Sequence, residues 1–377
     1  MTLFPRNSAF SRVTAQAGQR AVHAAFAWMH NNPGLILDWQ RELVVIPAPP
    51  FGEAARSAWL AARFQAAGLS DVTTDAAGNV TGILRAARLP EESSGPVVVL
   101  SAHLDTVFPA ETPLEPVLDG DRLLCPGACD NGAGVIGMLA LLHALRHSAI
   151  EVPAPLVFLG NVGEEGEGDL RGMRAFYGEG TLAGRVAAHI VLDGAGADSA
   201  VTQALGSRRF RVEVTGPGGH SFTDAGTPNP IAALAAALAT LAETPLPAEP
   251  RTTLNLGTIH GGTSVNSIPE SVQASIDFRS TDPEQLAHLE TALRHAVDDA
   301  VEHANTTARL RQTGDRGLLA FSIAHIGDRP AGDLRPDSAL FETLRAVDRH
   351  LGLRTDPRLG STDANLPLSL GVPALSL

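Results

Sequence analysis

Four short segments of this sequence contain ionisable residues of the kinds that bind metal ions. The candidates are His103 and Asp105, Asp130, Glu164 and Glu165, and Asp193. An imidazole combined with carboxylates is a typical ligand set of zinc in proteins. Several carboxylates, one of which bridges, suit two ions a few ångströms apart. Together the segments predict a metal centre, although each one alone is also explained by a turn, a helix cap or a solvated loop.

The first segment reads SAHLDT over residues 101–106 and directly follows an apolar run at 97–100. A neutral imidazole can bind zinc through one ring nitrogen, and a carboxylate two residues later can accept the N–H of the other ring nitrogen. Ligands bind at the carboxyl ends of strands in an α/β sheet. The position therefore favours a functional role for His103, with Asp105 as its hydrogen-bond partner.

The next two segments place carboxylates among glycines. Asp130 lies in GACDNGAG at 127–134, where glycines permit backbone angles that other residues resist, so that its carboxylate can approach two ions. Glu164 and Glu165 lie in GEEGEG at 163–168, after an apolar run. Adjacent carboxylates are costly unless cations or protons balance them. The pair predicts a division of labour, in which one carboxylate binds metal and the other moves a proton of water.

Apolar runs alternate with helical patterns through the first half of the chain, which predicts an α/β fold with a central mixed sheet flanked by helices. We predict strands at 79–84, 96–101, 156–161 and 188–192, and helices at 37–69 and 132–145. The three later strands are short and apolar, as expected for a sheet that is covered on both faces. Asp193 directly follows the last of them.

The pattern changes after about residue 206 to strands of period two and amphipathic helices. We predict strands at 209–215, 252–259 and 272–278, helices at 231–243 and 282–303, and a closing strand at 308–312. This order is typical of a ferredoxin-like α+β domain. We therefore predict one domain at 1–205 and 329–377, interrupted by a smaller domain at 206–328.

Composition narrows the possible partners and the compartment. The 377 residues carry a formal net charge of −13, which opposes binding to nucleic acid or an anionic membrane. No apolar run approaches the roughly 20 residues needed to cross a bilayer, and the N-terminus lacks an apolar signal core. Cys125 and Cys129 are too few for a disulfide framework, and we interpret them as ordinary residues rather than a redox or zinc site. A cytoplasmic protein is expected.

In this order, the motifs resemble those of the dizinc metallopeptidase and deacylase family. Its members include peptidase T, aminoacylase, bacterial glutamate carboxypeptidase, acetylornithine deacetylase and succinyl-diaminopimelate desuccinylase. The resemblance runs from about residue 37 to residue 377. It implies metal ligands at four positions, His103, Asp130, Glu165 and Asp193, with Asp130 shared between two zinc ions. It also implies Glu164 as general base and Asp105 as the residue that orients His103.

By the same resemblance, residues 206–328 form a lid that carries the dimer contact. GPGGHS at 216–221 resembles the lid turn whose histidine, here His220, reaches the active site of the partner subunit and polarises the scissile carbonyl. GGTSVN at 261–266 and DFR at 277–279 resemble lid segments that hold a substrate carboxylate. The planar fork of Arg279 suits that task, although a surface salt bridge is the alternative.

GSTDAN at 360–365 resembles the final active-site loop of the family, in the peptidase T branch. The implied substrate-binding residues are Asn266, Arg279, Ser361, Thr362 and Asn365. A further histidine ligand of the second zinc is implied just beyond Leu377, where this sequence ends. We therefore interpret the catalytic domain as truncated at its C-terminal end and expect an incomplete second site, with Co²⁺ or Mn²⁺ as possible substitutes for zinc.

These observations predict a homodimeric exopeptidase that acts on short peptides. Two alternatives remain open from the sequence. The first is an N-acyl amino-acid deacylase of the same family. The second, from another class, is a catalytically weak protein that binds peptides or amino acids, as the missing histidine suggests.

Overall fold

The computed structural model of the chain describes residues 8–86, 95–194, 196, 198–311 and 317–377. Its strands are β1 (Ser70–Thr74), β2 (Val80–Leu84), β3 (Val97–His103), β4 (Val117–Asp119), β5 (Arg122–Leu124), β6 (Leu156–Asn161), β7 (Val186–Val191), β8 (Ser199–Ala204), β9 (Gly206–Thr215), β10 (Gly219–His220), β11 (Thr253–Gly261), β12 (Ser267–Ile268), β13 (Ser271–Ser280), β14 (Ala320–Arg329), β15 (Gly332–Asp333), β16 (Asp356–Gly360) and β17 (Ala374–Ser376). Its α-helices are α1 (Ala9–Ala17), α2 (Arg20–Asn31), α3 (Pro33–Val44), α4 (Ala54–Ala66), α5 (Gly132–His147), α6 (Arg171–Gly178), α7 (Pro230–Ala242), α8 (Pro283–Arg311), α9 (Ala339–Leu351) and α10 (Asn365–Ser369).

The chain divides into two compact units: unit 1, Met1–Ala204 with Gly332–Leu377, and unit 2, Leu205–Ala331. Unit 1 is built on a mixed sheet with the strand order β1-β2-β6-β3-β7-β17-β8-β15, and β16 pairs with β8. β3 runs parallel to both of its neighbours, β6 and β7, and β17 runs parallel to β7. The predicted class, a mixed α/β sheet flanked by helices, is confirmed.

β3 and β6 lie between two apolar clusters. In one cluster, Leu60 of α4 and Leu139 of α5 pack with Phe158 of β6. In the other, Met173 of α6 packs with Val157, the preceding residue of the same strand. Because neighbouring residues of a strand point to opposite faces, both faces of the sheet are buried here. This explains why these strands are continuous apolar runs.

Unit 2 is a four-stranded antiparallel sheet of order β11-β13-β9-β14, together with a two-stranded ribbon of β10 and β12. Apolar residues of α7 and α8, among them Leu234 and Leu293, pack on one face of the larger sheet, against Val212 and Ile276. Apart from the ribbon, the element order is β-α-β-β-α-β, as predicted from the sequence.

Two predicted elements are wrong in their details. The helix predicted at 37–69 is interrupted, because α3 ends at Val44 and α4 begins only at Ala54. The prolines at 47, 49 and 50 account for the interruption, since proline lacks the N–H that continues a helix.

The strand predicted at 308–312 is also wrong. Residues up to Arg311 belong to α8, in which Val301 and Ala308 continue the buried helical face, and Gln312 lies outside the described residues. The fourth strand of the sheet is β14. Within the described part of the chain, no helix is both long enough and apolar enough to cross a membrane.

A chain of hydrogen bonds, centred on buried His189, joins β3 and β7, the two strands that lead to His103 and Asp193. His189 of β7 is fully buried, with its Nε2 at 2.8 Å from Ser101 Oγ on β3 and its Nδ1 at 2.8 Å from the Tyr177 hydroxyl on α6. A neutral imidazole can donate one of these hydrogen bonds and accept the other. Burial lowers the pKa of His189 to about 3, which keeps the ring neutral.

This arrangement predicts a specific loss of stability in acid. The pKa of His189 lies below its ordinary value of 6.5, so the unfolded chain takes up a proton first as the pH falls. The stabilisation is complete above about pH 6.5 and is lost progressively toward pH 3. From pH 7 to pH 5, the free energy of unfolding should fall by about 2 kcal/mol more in the wild type than in His189→Gln.

Urea unfolding followed by tryptophan fluorescence measures this difference, because all three tryptophans, at 28, 39 and 59, lie in unit 1. His30→Gln, which changes an exposed histidine of the same unit, serves as the control and should keep the wild-type pH dependence. Equal pH dependence in the wild type and His189→Gln would contradict the interpretation.

Candidate metal centre

Adjacent parallel strands bring the predicted metal ligands and the predicted general base, Glu164, to one edge of the unit 1 sheet. His103 ends β3, Glu164 lies just past the end of β6, and Asp193 lies just past the end of β7. Asp130 lies in the turn that leads into α5. Because the carboxyl ends of parallel strands share one edge, residues distant in sequence become neighbours there.

His103 is central to this group and is almost completely buried. Its Nε2 lies 3.1 Å from Asp130 Oδ1 and 3.8 Å from Asp193 Oδ1. Ligand atoms of these three residues lie within 4.8 Å of one another, and the same holds for His103, Glu164 and Glu165. Among the described residues, these two groups are the ones that could hold a metal ion.

Asp105 is fully buried and holds two segments of the centre together. Its Oδ1 accepts the backbone N–H of Glu164 at 3.0 Å, and its Oδ2 accepts that of Glu165 at 2.8 Å. His103 Nδ1 lies 3.0 Å from the Asp105 carbonyl oxygen but 3.6 Å from its carboxylate, which is too far for a hydrogen bond. The hydrogen bond that we predicted for the Asp105 carboxylate is therefore made by the Asp105 carbonyl instead.

The charges of the centre shift several pKa values. Burial by itself would raise the pKa of Asp105, but contact with His103 and the two backbone N–H groups holds it below its usual range. Burial by itself would lower the pKa of His103, but the carboxylates of Asp105, Asp130 and Asp193 raise it well above its usual range. Imidazole and carboxylates therefore stabilise each other's charged forms.

The pKa of Glu165 shows that negative charge is in excess at the centre. Burial, together with the charges of Glu164 and Asp130, raises the pKa of Glu165 to about 7. A divalent cation would relieve this repulsion. One buried imidazole among carboxylates is a zinc-type donor set, so these residues fit a metal ion.

Asp363 lies beside the centre and was not selected from the sequence. It is fully buried, and its Oδ2 accepts a hydrogen bond from Asn161 Nδ2 at 2.6 Å. Burial and the charge of Glu164 raise the pKa of Asp363 well above its usual range. The position of Asp363 inside the GSTDAN motif could have identified it from the sequence. No comparable motif in the sequence identifies its partner Asn161, 202 residues away.

The side chains around Asp363 bond within their own turn. Asn365 Oδ1 accepts the backbone N–H of Thr362 at 2.9 Å, and Thr362 Oγ1 accepts that of Ala364 at 3.1 Å. Thr362 and Asn365 are buried, and Ser361 is half-buried. Substrate binding by these three residues stays a prediction.

In unit 2, the ribbon of β10 and β12 brings His220 close to Asn266. The backbone N–H of Ser221 donates to the carbonyl oxygen of Asn266 at 3.0 Å. His220 Nδ1 accepts the backbone N–H groups of Phe222 and Thr223 at 3.2 and 3.3 Å. A neutral ring that accepts at Nδ1 carries its proton on Nε2, so exposed His220 presents an N–H donor.

Arg279, the remaining predicted substrate ligand, forms a salt bridge on β13. Its Nε lies 2.7 Å from Asp277 Oδ2, and Arg209 Nε lies 3.0 Å from the other oxygen of the same carboxylate. The salt-bridge alternative is therefore present. Recognition of a substrate carboxylate by the other donors of Arg279 stays a prediction.

Replacing Asp105 tests its structural role. In Asp105→Asn, the side-chain NH₂ group would face one of the two backbone N–H donors and leave it unsatisfied. We expect the free energy of unfolding to fall by about 2 kcal/mol, the scale of a charge-assisted buried hydrogen bond. Tryptophan fluorescence in urea gives the measurement, with exposed Asp71→Asn as the control. Equal effects of the two substitutions would show that Asp105 does not hold the loop.

Two family models match the sequence. The model described as Peptidase dimerisation domain matches residues 202–305, and the model described as Peptidase family M28 matches residues 85–239.

Curated relatives include two fungal proteins. A probable carboxypeptidase of Neosartorya fischeri is 30% identical over 340 residues, which cover 82% of this chain and 73% of that protein. A probable carboxypeptidase of Aspergillus clavatus is 30% identical over 268 residues, which cover 66% of this chain. The chain spans 58% of the length of that second relative.

Three solved structures share the fold. A tripeptidase of Staphylococcus aureus has a TM-score of 0.69 at 24% identity, covering 91% of this chain and 88% of that one. Aminopeptidase PepT of Bacillus cereus has a TM-score of 0.70 at 20% identity, covering 91% and 89%. The Bacillus subtilis YXEP protein, described as a dinuclear metal binding peptidase from the M20 family, has a TM-score of 0.60 at 17% identity, covering 93% and 88%. Given the match to the Neosartorya fischeri relative and the shared fold, the chain belongs to the M20 family of dizinc metallopeptidases and deacylases, whose motifs its own sequence resembles.

Proposed function

We propose that this protein is a metal-dependent exopeptidase that hydrolyses amide bonds of short peptides. The observation that carries the proposal is Glu164. It is a carboxylate directly before a candidate ligand, it is only 5% exposed, and its backbone is bound by Asp105. A site that only binds peptides has no need of an ionisable group at this position, whereas hydrolysis requires one to move a proton.

His103, Asp130 and Asp193 would hold one metal ion, and Glu165 with shared Asp130 would hold a second. The donor chemistry favours zinc, with Co²⁺ or Mn²⁺ as substitutes. The dinuclear metal binding described for the YXEP protein supports two ions. When bound, the ions supply Lewis-acid chemistry and lower the pKa of water to about 7.

Glu164 would act as the general base. Its carboxylate accepts a proton from the attacking water and then donates that proton to the leaving amine nitrogen. The two N–H groups bound by Asp105 hold the loop in place, so little reorganisation is needed during the transfer. The hydrogen bond from His103 Nδ1 to the Asp105 carbonyl orients the ring and leaves Nε2 available as a ligand.

His220 of a second copy of the chain would donate its Nε2–H to the developing oxyanion of the substrate. The match to a peptidase dimerisation domain at residues 202–305 supports a homodimer formed through unit 2. We propose a cytoplasmic homodimer whose substrates are small peptides.

Glu164→Gln tests the proposed mechanism. The substitution keeps the shape of the side chain but removes its ability to take a proton, so turnover should fall by at least about 10²-fold. Bound metal, measured by elemental analysis, should stay at the wild-type level. Glu167→Gln alters an exposed glutamate of the same loop and should keep wild-type turnover. Undiminished hydrolysis by Glu164→Gln at equal metal content would refute the assignment.

A substrate panel tests the reaction class on zinc- or cobalt-loaded protein. We expect cleavage of di- and tripeptides with a free amino terminus and little cleavage of their N-acetylated forms. Preferential hydrolysis of N-acyl amino acids would instead favour the deacylase. A requirement for a free carboxyl terminus would match the carboxypeptidase names of the fungal relatives. Peptide binding without any hydrolysis would contradict the proposal and favour a binding protein.

A further inference from the structure

The loop that carries Glu164 is also held by an ion pair between buried Glu53 and half-buried Arg171. Arg171, at the start of α6, donates from Nη2 to Glu53 Oε2 at 2.6 Å and from Nη1 to the backbone oxygen of Ala77. Glu53, directly before α4, is only 3% exposed. The pair therefore joins the beginnings of two helices that lie 118 residues apart in the sequence.

Arg171 packs against Gly163, the residue before Glu164. A Cβ atom at Gly163 would lie 2.5 Å from Arg171 Cγ and 2.7 Å from its Nε, so the arginine occupies the space of a side chain at 163. Gly163 has a φ of 65°, a conformation that glycine adopts readily. The backbone N–H of Arg171 also donates to the Gly163 oxygen at 3.2 Å. Arg171 thus constrains the backbone that leads into Glu164.

The first turn of α4 also supports the loop that contains Asp105. Arg56 is buried, and it donates from Nε to the Ile46 oxygen and from Nη1 to the Leu104 oxygen, both at 2.9 Å. Leu104 lies between His103 and Asp105 in the sequence. The start of α4 therefore contacts the loop of Asp105 directly and the loop of Glu164 through Arg171.

Stability alone is a weak explanation for the pair. Glu53 Oε1 and Arg171 Nε are buried without a hydrogen-bond partner. An ion pair whose carboxylate is buried, with unsatisfied atoms on both partners, recovers little of the desolvation cost of that carboxylate. The guanidinium also lies 5.0 Å from the ring of Phe51, a contact of modest energy. A pair with little stability to contribute, packed on the loop of the general base, points to a role in geometry.

We propose that Glu53 and Arg171 are positioning residues for proton transfer: they hold Gly163 and thereby place the Glu164 carboxylate. This inference rests on the proposed function of Glu164. Displacement of a catalytic group by about 1 Å can cost about 10²-fold in rate. Loss of the pair should therefore lower kcat and leave substrate affinity nearly unchanged.

Two single variants and their combination test the proposal on the metal-loaded full chain. Arg171→Met removes the charge but keeps most of the stem, and Glu53→Gln keeps the shape of its side chain. Each should lower kcat by about 10- to 100-fold with KM within about threefold of the wild type and metal content unchanged. The double variant should be no slower than the slower single variant. Arg171→Lys, which retains the ion pair, should recover part of kcat.

Arg85→Met is the matched control. It removes an arginine of unit 1 whose contact with Asp71 is of similar length, 2.7 Å, but exposed. This control should keep wild-type kcat. If Arg171→Met fails to fold, Glu53→Gln decides the question, since it replaces a single oxygen by nitrogen.

Wild-type kcat in both single variants would overturn the positioning role. Effects of the two substitutions that multiply in the double variant would also overturn it. A loss of kcat that is fully explained by lost metal would overturn it as well. Glu164→Gln, assayed alongside, separates the two hypotheses. An inactive Glu164→Gln, together with fully active Arg171→Met and Glu53→Gln, overturns the positioning role alone. A fully active Glu164→Gln overturns the proposed function and the positioning role with it.

Discussion

The centre depends on one buried carboxylate, that of Asp105. Its two oxygens accept the backbone N–H groups of Glu164 and Glu165, while its carbonyl accepts the ring N–H of His103. A segment after β3 and a segment after β6 are thereby held in one arrangement. The carboxylate can accept both N–H groups only while it is ionised, and those same contacts keep its pKa low. Its full burial would be unfavourable without these donors.

The second constraint is electrostatic. The sheet edge gathers more carboxylates than imidazole. Burial, together with this excess of negative charge, raises the pKa of Glu165 to about 7 and that of Asp363 well above its usual range. Such a concentration of charge requires a rigid support, because carboxylates that repel each other would otherwise move apart. β3 and β6, buried on both faces, form that support. The loops at their ends carry the chemistry, as is common in α/β proteins.

The sequence was informative where the signal is local. Apolar runs followed by polar residues located β3, β6 and β7, and therefore the strand ends that carry His103, Glu164 and Asp193. The strand predicted at 308–312 was wrong, because a short apolar pattern fits a strand as well as the last turn of a helix. The sequence also could not reveal that Asn161 binds Asp363, or that Glu53 binds Arg171, because these pairs lie 202 and 118 residues apart. Such contacts exist only once the sheet and its helices have assembled.

The location of bound metal tests the proposed centre most directly. Anomalous X-ray diffraction at the zinc edge, on crystals of zinc-loaded protein, gives this location. We expect anomalous peaks next to His103, with Asp130, Asp193 and Glu165 as carboxylate ligands and with Glu164 beside them but not bound. Peaks remote from His103, or a direct bond from Glu164 to the metal in place of Glu165, would contradict the proposed centre.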